Sequence, residues 1–415
     1  CVPCVIHKLK AAALFRDFGG NMLYIKNAKI LTMTDTDFDN GFVCLSEGKI
    51  TAVGDMASMP KLSSDDQVID AKGMYLMPGL IDSHCHIGIV EDSIGFEGDD
   101  VNEMTDPITP HLRAIDGIYH ADKSFEEARQ SGVTTVITGP GSANVIGGQF
   151  AALKTYGRTV DEMTIKAPCA MKIAFGENPK TVYNEKHQFP STRMATAAIL
   201  REQLYKAKEY LEALEKYEKD KEENEKPEYD IKLEALLPVI KGELLVKVHA
   251  HRTDDILTAI RIAREFNLEI TLDHCTEGYL IADVLKEYNY DIILGPILTD
   301  RSKVELRNQS LKAAGILAKA GLNVAIMSDH PEVPVQHLML CAAIAAREGM
   351  DEKEALKAVT INAAKSVRLN DRIGSIEVGK DADVVLYSGF PLDYRSKVKM
   401  TFINGNLVYA DQEGQ

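Results

Sequence analysis

From Met22 onward the chain alternates apolar and polar positions in short runs, "LYIKNAKILT", "GFVCLSEGKITAVG" and "QVIDAKGMYLMPG", separated by Gly, Asp and Asn. A period of two in segments rich in Val, Ile and Thr predicts strands broken by turns. The far C-terminus repeats the pattern in "GSIEVGKDADVVLYSG" and "VKMTFINGNLVYADQ", so the two ends together predict one small β-sandwich. Between them the pattern changes. Unbroken apolar runs, "LIDSHCHI", "VTTVIT", "MKIAFGE", "LLVKVHA", "EITLDH", "DIILGP" and "NVAIMSD", alternate with helical segments such as "KSFEEARQSG", "DDILTAIRIAREF" and "LMLCAAIAAREG". Strands that are apolar throughout and separated by helices belong to a parallel sheet covered on both faces. The predicted fold class is therefore α/β, a (β/α)8 TIM barrel with a β-sandwich built from the N- and C-terminal segments. Seven barrel strands are evident, and the eighth lies in "GGQFAALKTYG" or within "DEMTIKAPCAM".

The resulting organisation is 22–78 as the first part of the sandwich, 79–370 as the barrel and 371–415 as the second part of the sandwich. Residues 1–21 fit poorly with a natural start at Met22 and read as upstream or non-native sequence. The Cys1-x-x-Cys4 pair within them offers half a zinc site, with no second pair at finger spacing. The stretch from Arg201 to Glu228, dense in Lys and Glu, predicts a helix with a solvated face.

Composition narrows the class of partner. A formal net charge of −15 argues against nucleic acid, whose binders concentrate Lys and Arg. No apolar run approaches the ~20 residues of a membrane span, so no membrane partner is expected. Seven cysteines, an odd number scattered through apolar segments, read as reduced thiols and favour the cytoplasm.

The chemistry concentrates at strand ends. On a strand, His84 and His86 share one face while Cys85 points to the other. Two imidazoles so placed suit a divalent cation such as Zn²⁺, although the pair alone is equally a strand closing in polar residues. Other predicted strands end similarly, in Glu177, in His249 and His251, in His274, and in Asp329 and His330. Active sites of such barrels sit at the C-terminal rim, where these residues collect. "TGPGSANVIGGQ" offers Asn144 and Gln149 as substrate contacts, or else a turn that needs positive φ. His111 and His120 lie in a long connection that is either a lid or a solvated loop. Cys85 and Cys275 have no visible base and read as packing residues.

In order along the chain, "PGLIDSHCHIG", "GVTTV", "VHAH", "DHCTEG", "SDHP" and "GSIEVGKDADVVL" resemble the amidohydrolase superfamily, and within it the imidazolonepropionase-related group. The resemblance implies that His84, His86, His249, His274 and Asp329 bind metal, with Asp329 also taking a proton from water and His274 belonging to the catalytic set. It leaves two candidates on the remaining strand. One branch ligates through a Glu, here Glu177, and another through a carbamylated Lys, for which Lys172 is nearest. Lys172 stands five residues earlier, at the expected start of its strand, so Glu177 is favoured. His251 is expected to contact substrate or support the ligands, and His330 to be structural. The implied cofactor is one or two Zn²⁺ ions, with Fe²⁺ or Mn²⁺ also suitable. The implied activity is hydrolysis of a C–N bond, in an amide or cyclic amide, of a small-molecule substrate by a homo-oligomer. The alternatives are an Xaa-Pro-type or other dipeptidase, an N-acyl deacetylase, or an inactive barrel serving as a scaffold.

Overall fold

The computed structural model describes residues 22–92 and 94–411, so the Cys1 and Cys4 pair lies outside the described residues. Strands β1 (Leu23–Ile30), β2 (Phe38–Ser46), β3 (Lys49–Asp55), β4 (Gln67–Asp70) and β5 (Tyr75–Pro78) come first. The barrel strands follow as β6 (Leu80–Cys85), β7 (Val133–Thr138), β8 (Ile146–Lys154), β9 (Thr164–Ala174), β10 (Leu245–Ala250), β11 (Ile270–His274), β12 (Asp291–Leu294) and β13 (Val324–Ile326). The chain closes with β14 (Val384–Tyr387), β15 (Val398–Ile403) and β16 (Asn406–Ala410).

The two ends of the chain meet in one hydrogen-bonded sheet, ordered β16-β15-β14-β5-β1-β2-β3, with β4 alongside β1. The first half of β1 pairs with β4 and its last residues with β5, so the sheet bends around an apolar core that includes Ile25, Val43, Leu76, Val384 and Phe402. Gly79 hands the chain from this sheet to the barrel. A Cβ there would run into the Thr134 side chain, and its N–H donates to the Asp383 carbonyl. Lys154, at the end of β8, locks the junction by pairing with Asp381 at 2.9 Å and with Asp383.

The barrel sheet runs β13-β12-β11-β10-β9-β8-β7-β6. One expectation is corrected: the eighth strand, β8, contains "GGQFAALK", but it is antiparallel to both β7 and β9. The chain turns back directly after β7 with no crossover helix between β7 and β8, and a hairpin can only make an antiparallel pair. Between β13 and β6 there is no ladder, and the barrel closes through backbone bonds at the rim. Asp329 N–H donates to the His84 carbonyl at 3.2 Å and His86 N–H to the His330 carbonyl at 2.9 Å.

Helices cover the strands with faces spaced three and four residues apart. Thr253–Phe266 buries Ile256, Ala259, Ile260 and Ala263 and ends at Asn267, whose φ of 54° stops the helix. Arg193–Lys219 is capped by the Thr192 hydroxyl and buries Leu200, Leu204 and Ala207, while its Lys- and Glu-rich end faces solvent. Among the described residues, no helix is long and apolar enough to cross a membrane.

Candidate active site

β6 carries a register shift between Asp82 and Cys85, and both His84 and His86 turn into the mouth of the barrel with ring centres 5.3 Å apart. On β10, strict alternation points Lys247 and His249 inward, and His251 follows one residue past the strand. His274 ends β11 with φ of 68°, which breaks the alternation and swings its ring to 4.3 Å from that of His249. Asp329, also left-handed at φ 57°, places Oδ1 3.3 Å from His86 Nε2 and 3.6 Å from His84 Nε2. Backbone in this region is unfavourable for residues other than glycine and concentrates at functional sites. Two groups result whose donor atoms could hold a cation, His84 with His86 and Asp329, and His249 with His251 and His274.

The imidazoles present lone pairs. The Nδ1 atoms of His86 and His274 lie 2.6 and 3.0 Å from the Gly139 and Gly295 carbonyls, which can only accept. Those nitrogens therefore carry the hydrogen and leave Nε2 free. Burial holds His84, His249, His251 and His274 well below the usual histidine range, so all four are neutral near pH 7. Beneath them the Phe150 ring packs 5.2 Å from His84, and the Lys172 and Lys247 ammonium groups each lie 5.7 Å from its centre. Both ring nitrogens of His249 and Asp329 Oδ1 are buried without a hydrogen-bond partner. Neutral imidazoles with an unpartnered carboxylate oxygen are the donor set of a divalent first-row cation, so these residues fit such an ion. Above them opens a cavity of about 340 Å³, walled by Asp99, Asn102, Ser142, Asn178, Lys303 and Glu332.

The amidohydrolase family profile matches residues 75–408. The chain belongs to the amidohydrolase family. It is related within that family to the imidazolonepropionases. It is 28% identical to the imidazolonepropionase of Caldanaerobacter subterraneus subsp. tengcongensis over 86% of this chain and 86% of that protein. It is also 28% identical to the amidohydrolase tasK of Hapsidospora irregularis over 96% of this chain, and it spans only 44% of that protein's length. Among solved structures, an amidohydrolase from Thermotoga maritima MSB8 is 42% identical with a TM-score of 0.90, covering 94% of this chain and 100% of that one.

In this amidohydrolase the structure brings His84, His86, His249, His251, His274 and Asp329 together, but Glu177 stands apart. β9 begins at Thr164 and stops at Ala174, and Gly176 turns the chain into the helix Glu177–Glu185. Glu177 thus lies beyond the strand, where its carboxylate accepts the Glu305 N–H at 3.2 Å. Lys172 stands near the end of β9 rather than at its start. Fully buried, its Nζ lies 3.3 Å from His84 Nε2, and burial pushes its pKa down to about 8.

Asn144 and Gln149 do not face the cavity. Asn144 donates to the Glu103 carbonyl and Thr109 and accepts from Tyr183, while Gln149 donates to the Pro110 carbonyl. Both brace the long connection after β6. That connection walls the cavity through Val90, Asp99, Val101 and Asn102, and His111 and His120 are not in the wall. His330 accepts the Val335 N–H on Nδ1 at 3.2 Å, a local structural bond. Cys85 packs in the outer core, and burial pushes its thiol, like that of Cys275, well up.

Sequence reading missed four participants. Asp273 sits 2.7 Å from His84 Nδ1 and 3.1 Å from Lys247 Nζ. Strand alternation with His249 was the available signal for Lys247. Glu305 and Lys303 sit in the loop after β12, within "RSKVELRNQ", which reads as charged surface; Glu305 is nevertheless 1% exposed.

Proposed function

We propose that this chain is a metal-dependent hydrolase that cleaves the C–N bond of an amide or cyclic amide in a small molecule, in the manner of the imidazolonepropionases. The observation that carries this reading is the convergence of neutral, buried imidazoles and Asp329 on the floor of a cavity of small-molecule size. His84, His86 and Asp329, with Lys172 beside them, would hold one cation, and His249, His251 and His274 a second. When bound, such a cation supplies Lewis acidity and brings the pKa of water toward neutrality.

The chain's own residues do the rest. Asp329 faces both β6 imidazoles and is placed to take a proton from water and return it to the leaving nitrogen. His274 Nδ1, bonded to the Gly295 carbonyl, lies 4.0 Å from the second oxygen of that carboxylate, beyond hydrogen-bond reach. Asn178 accepts from Lys303 at 3.0 Å and donates to Ser142 at 2.6 Å, which leaves further ammonium hydrogens for an anionic end of the substrate.

One observation favours a second reading. Lys172 is a buried amine beside His84, and a carbamate on it bridging two cations would suit a dipeptidase. The test is turnover of a panel of cyclic amides, N-acyl amino acids and dipeptides by zinc-loaded protein. Hydrolysis of the first two classes supports the main reading, and hydrolysis confined to dipeptides supports the second. No turnover of any class by protein shown to carry metal contradicts both.

A further inference from the structure

We propose that Glu305 is a metal ligand that joins His249 and His251, so that the second histidine cluster ends in a carboxylate of its own. The inference rests on the metal-dependent reading above and adds to it a residue from the loop after β12.

Glu305 lies in the short turn Val304–Leu306, folded over the rim, with its side chain fully buried. Oε2 accepts the Glu177 N–H at 2.9 Å. Oε1 has no hydrogen-bond partner and stands 3.8 Å from His249 Nε2 and 3.6 Å from His251 Nε2. These separations are too long for hydrogen bonds. Nitrogen and oxygen atoms bound to one cation at about 2.0–2.2 Å and at tetrahedral or wider angles stand roughly 3.3–3.8 Å apart, which is the spacing found.

Among the described residues, no hydrogen bond fills the gap. His251 Nδ1 is engaged with Thr276 Oγ1 at 2.8 Å, which leaves Nε2 facing the carboxylate. Neither nitrogen of His249 has a partner. Lys303 Nζ is bonded to Asn178. A buried carboxylate oxygen opposed to imidazole lone pairs is costly unless a positive charge lies between them. Glu177, which the sequence suggested as a ligand, instead clamps one. Its N–H and its carboxylate bond to Glu305 in both directions, fixing the turn that aims Oε1.

The test is zinc stoichiometry and affinity by equilibrium dialysis with elemental analysis on full-length protein. The wild type should bind two equivalents. Glu305→Gln, which keeps an acceptor for the Glu177 N–H, should bind one, or the second at least about tenfold more weakly. Glu305→Asp, which keeps the charge but withdraws it by one methylene, should fall between them. Circular dichroism and thermal melts on the same samples establish folding, and only folded variants are compared. Two equivalents of unchanged affinity in both variants, or a single equivalent in the wild type, overturn the assignment while leaving the proposed hydrolase intact. A wild type that binds no zinc at all overturns both.

Discussion

Gly139 joins the antiparallel strand to the histidine cluster at the barrel mouth, and substituting it should damage both. Its carbonyl holds His86 Nδ1 at 2.6 Å, and its Cα rests against the Phe150 ring that floors the site. A Cβ at this position would come within 2.7 Å of Phe150 Cδ1, and closer still to Cγ and Cδ2. Gly139 is not among the glycines with positive φ, so the penalty in Gly139→Ala is steric rather than conformational. Ordinary contact begins near 3.4 Å. Either the ring or the carbonyl must therefore move by most of an ångström or more, in a floor whose side chains are fully buried. Overpacking of this kind costs about 1–3 kcal/mol. With an unfolding entropy of about 0.9 kcal/mol/K for a chain this long, the melting temperature should fall by roughly 1–4 °C. Displacing the carbonyl also frees His86, and losing such an outer partner typically weakens metal binding by about 10–100-fold. Differential scanning calorimetry of the zinc-free protein and zinc titration read the two effects separately. Gly139→Ala with Phe150→Leu should recover part of both losses, because the smaller side chain makes room. Wild-type stability and zinc affinity in Gly139→Ala would show that neither the Phe150 ring nor the Gly139 carbonyl constrains this floor.

Other expectations follow from the same geometry. Lys154→Met leaves Asp383 buried without its ammonium while Asp381 keeps Lys49 and Arg372, so it should cost up to about 3 kcal/mol in thermal unfolding, and Asp383→Asn in the same chain should relieve part of it. Burial places the folded-state pKa of His84, His249, His251 and His274 well below the unfolded value near 6.5, so the unfolded chain binds more protons. The stability these groups contribute is complete above about pH 6.5 and declines as the pH falls below it, which denaturation of the metal-free protein between pH 8 and 4.5 would measure. Lys172→Met should lower zinc content and abolish turnover; Lys172→Met protein with wild-type zinc content would count against its place beside His84.

The barrel and most of the residues that converge at its mouth were legible because both obey short periods. His84 and His86, and likewise Lys247 and His249, sit two apart on strands, and each apolar run ends where chemistry begins. Lys172 and Glu177 were misjudged for a definite reason. The "TIKAPCA" half of β9, with its lysine and proline, does not read as a strand, so the visible apolar run seemed to start at Met171 and to end at Glu177. That moved the rim by three residues. The direction of β8 could not be read either, since alternation is the same for a parallel and an antiparallel strand. His274 and Asp329 reach the site through left-handed backbone that no period announces. Glu305 is buried only because its loop folds back over β10, a tertiary fact hidden within a run of charged residues.

In the proposed reaction, Asp329 and the converging histidines hydrolyse a small-molecule C–N bond with a bound cation. It is tested most directly by following turnover and zinc content together in wild type and Asp329→Asn, before and after chelation. Wild-type turnover should be lost with the metal and return with added Zn²⁺, and Asp329→Asn should be slower by about 10²–10⁴-fold even when loaded. Full turnover by Asp329→Asn, or by wild-type protein stripped of metal, would contradict it.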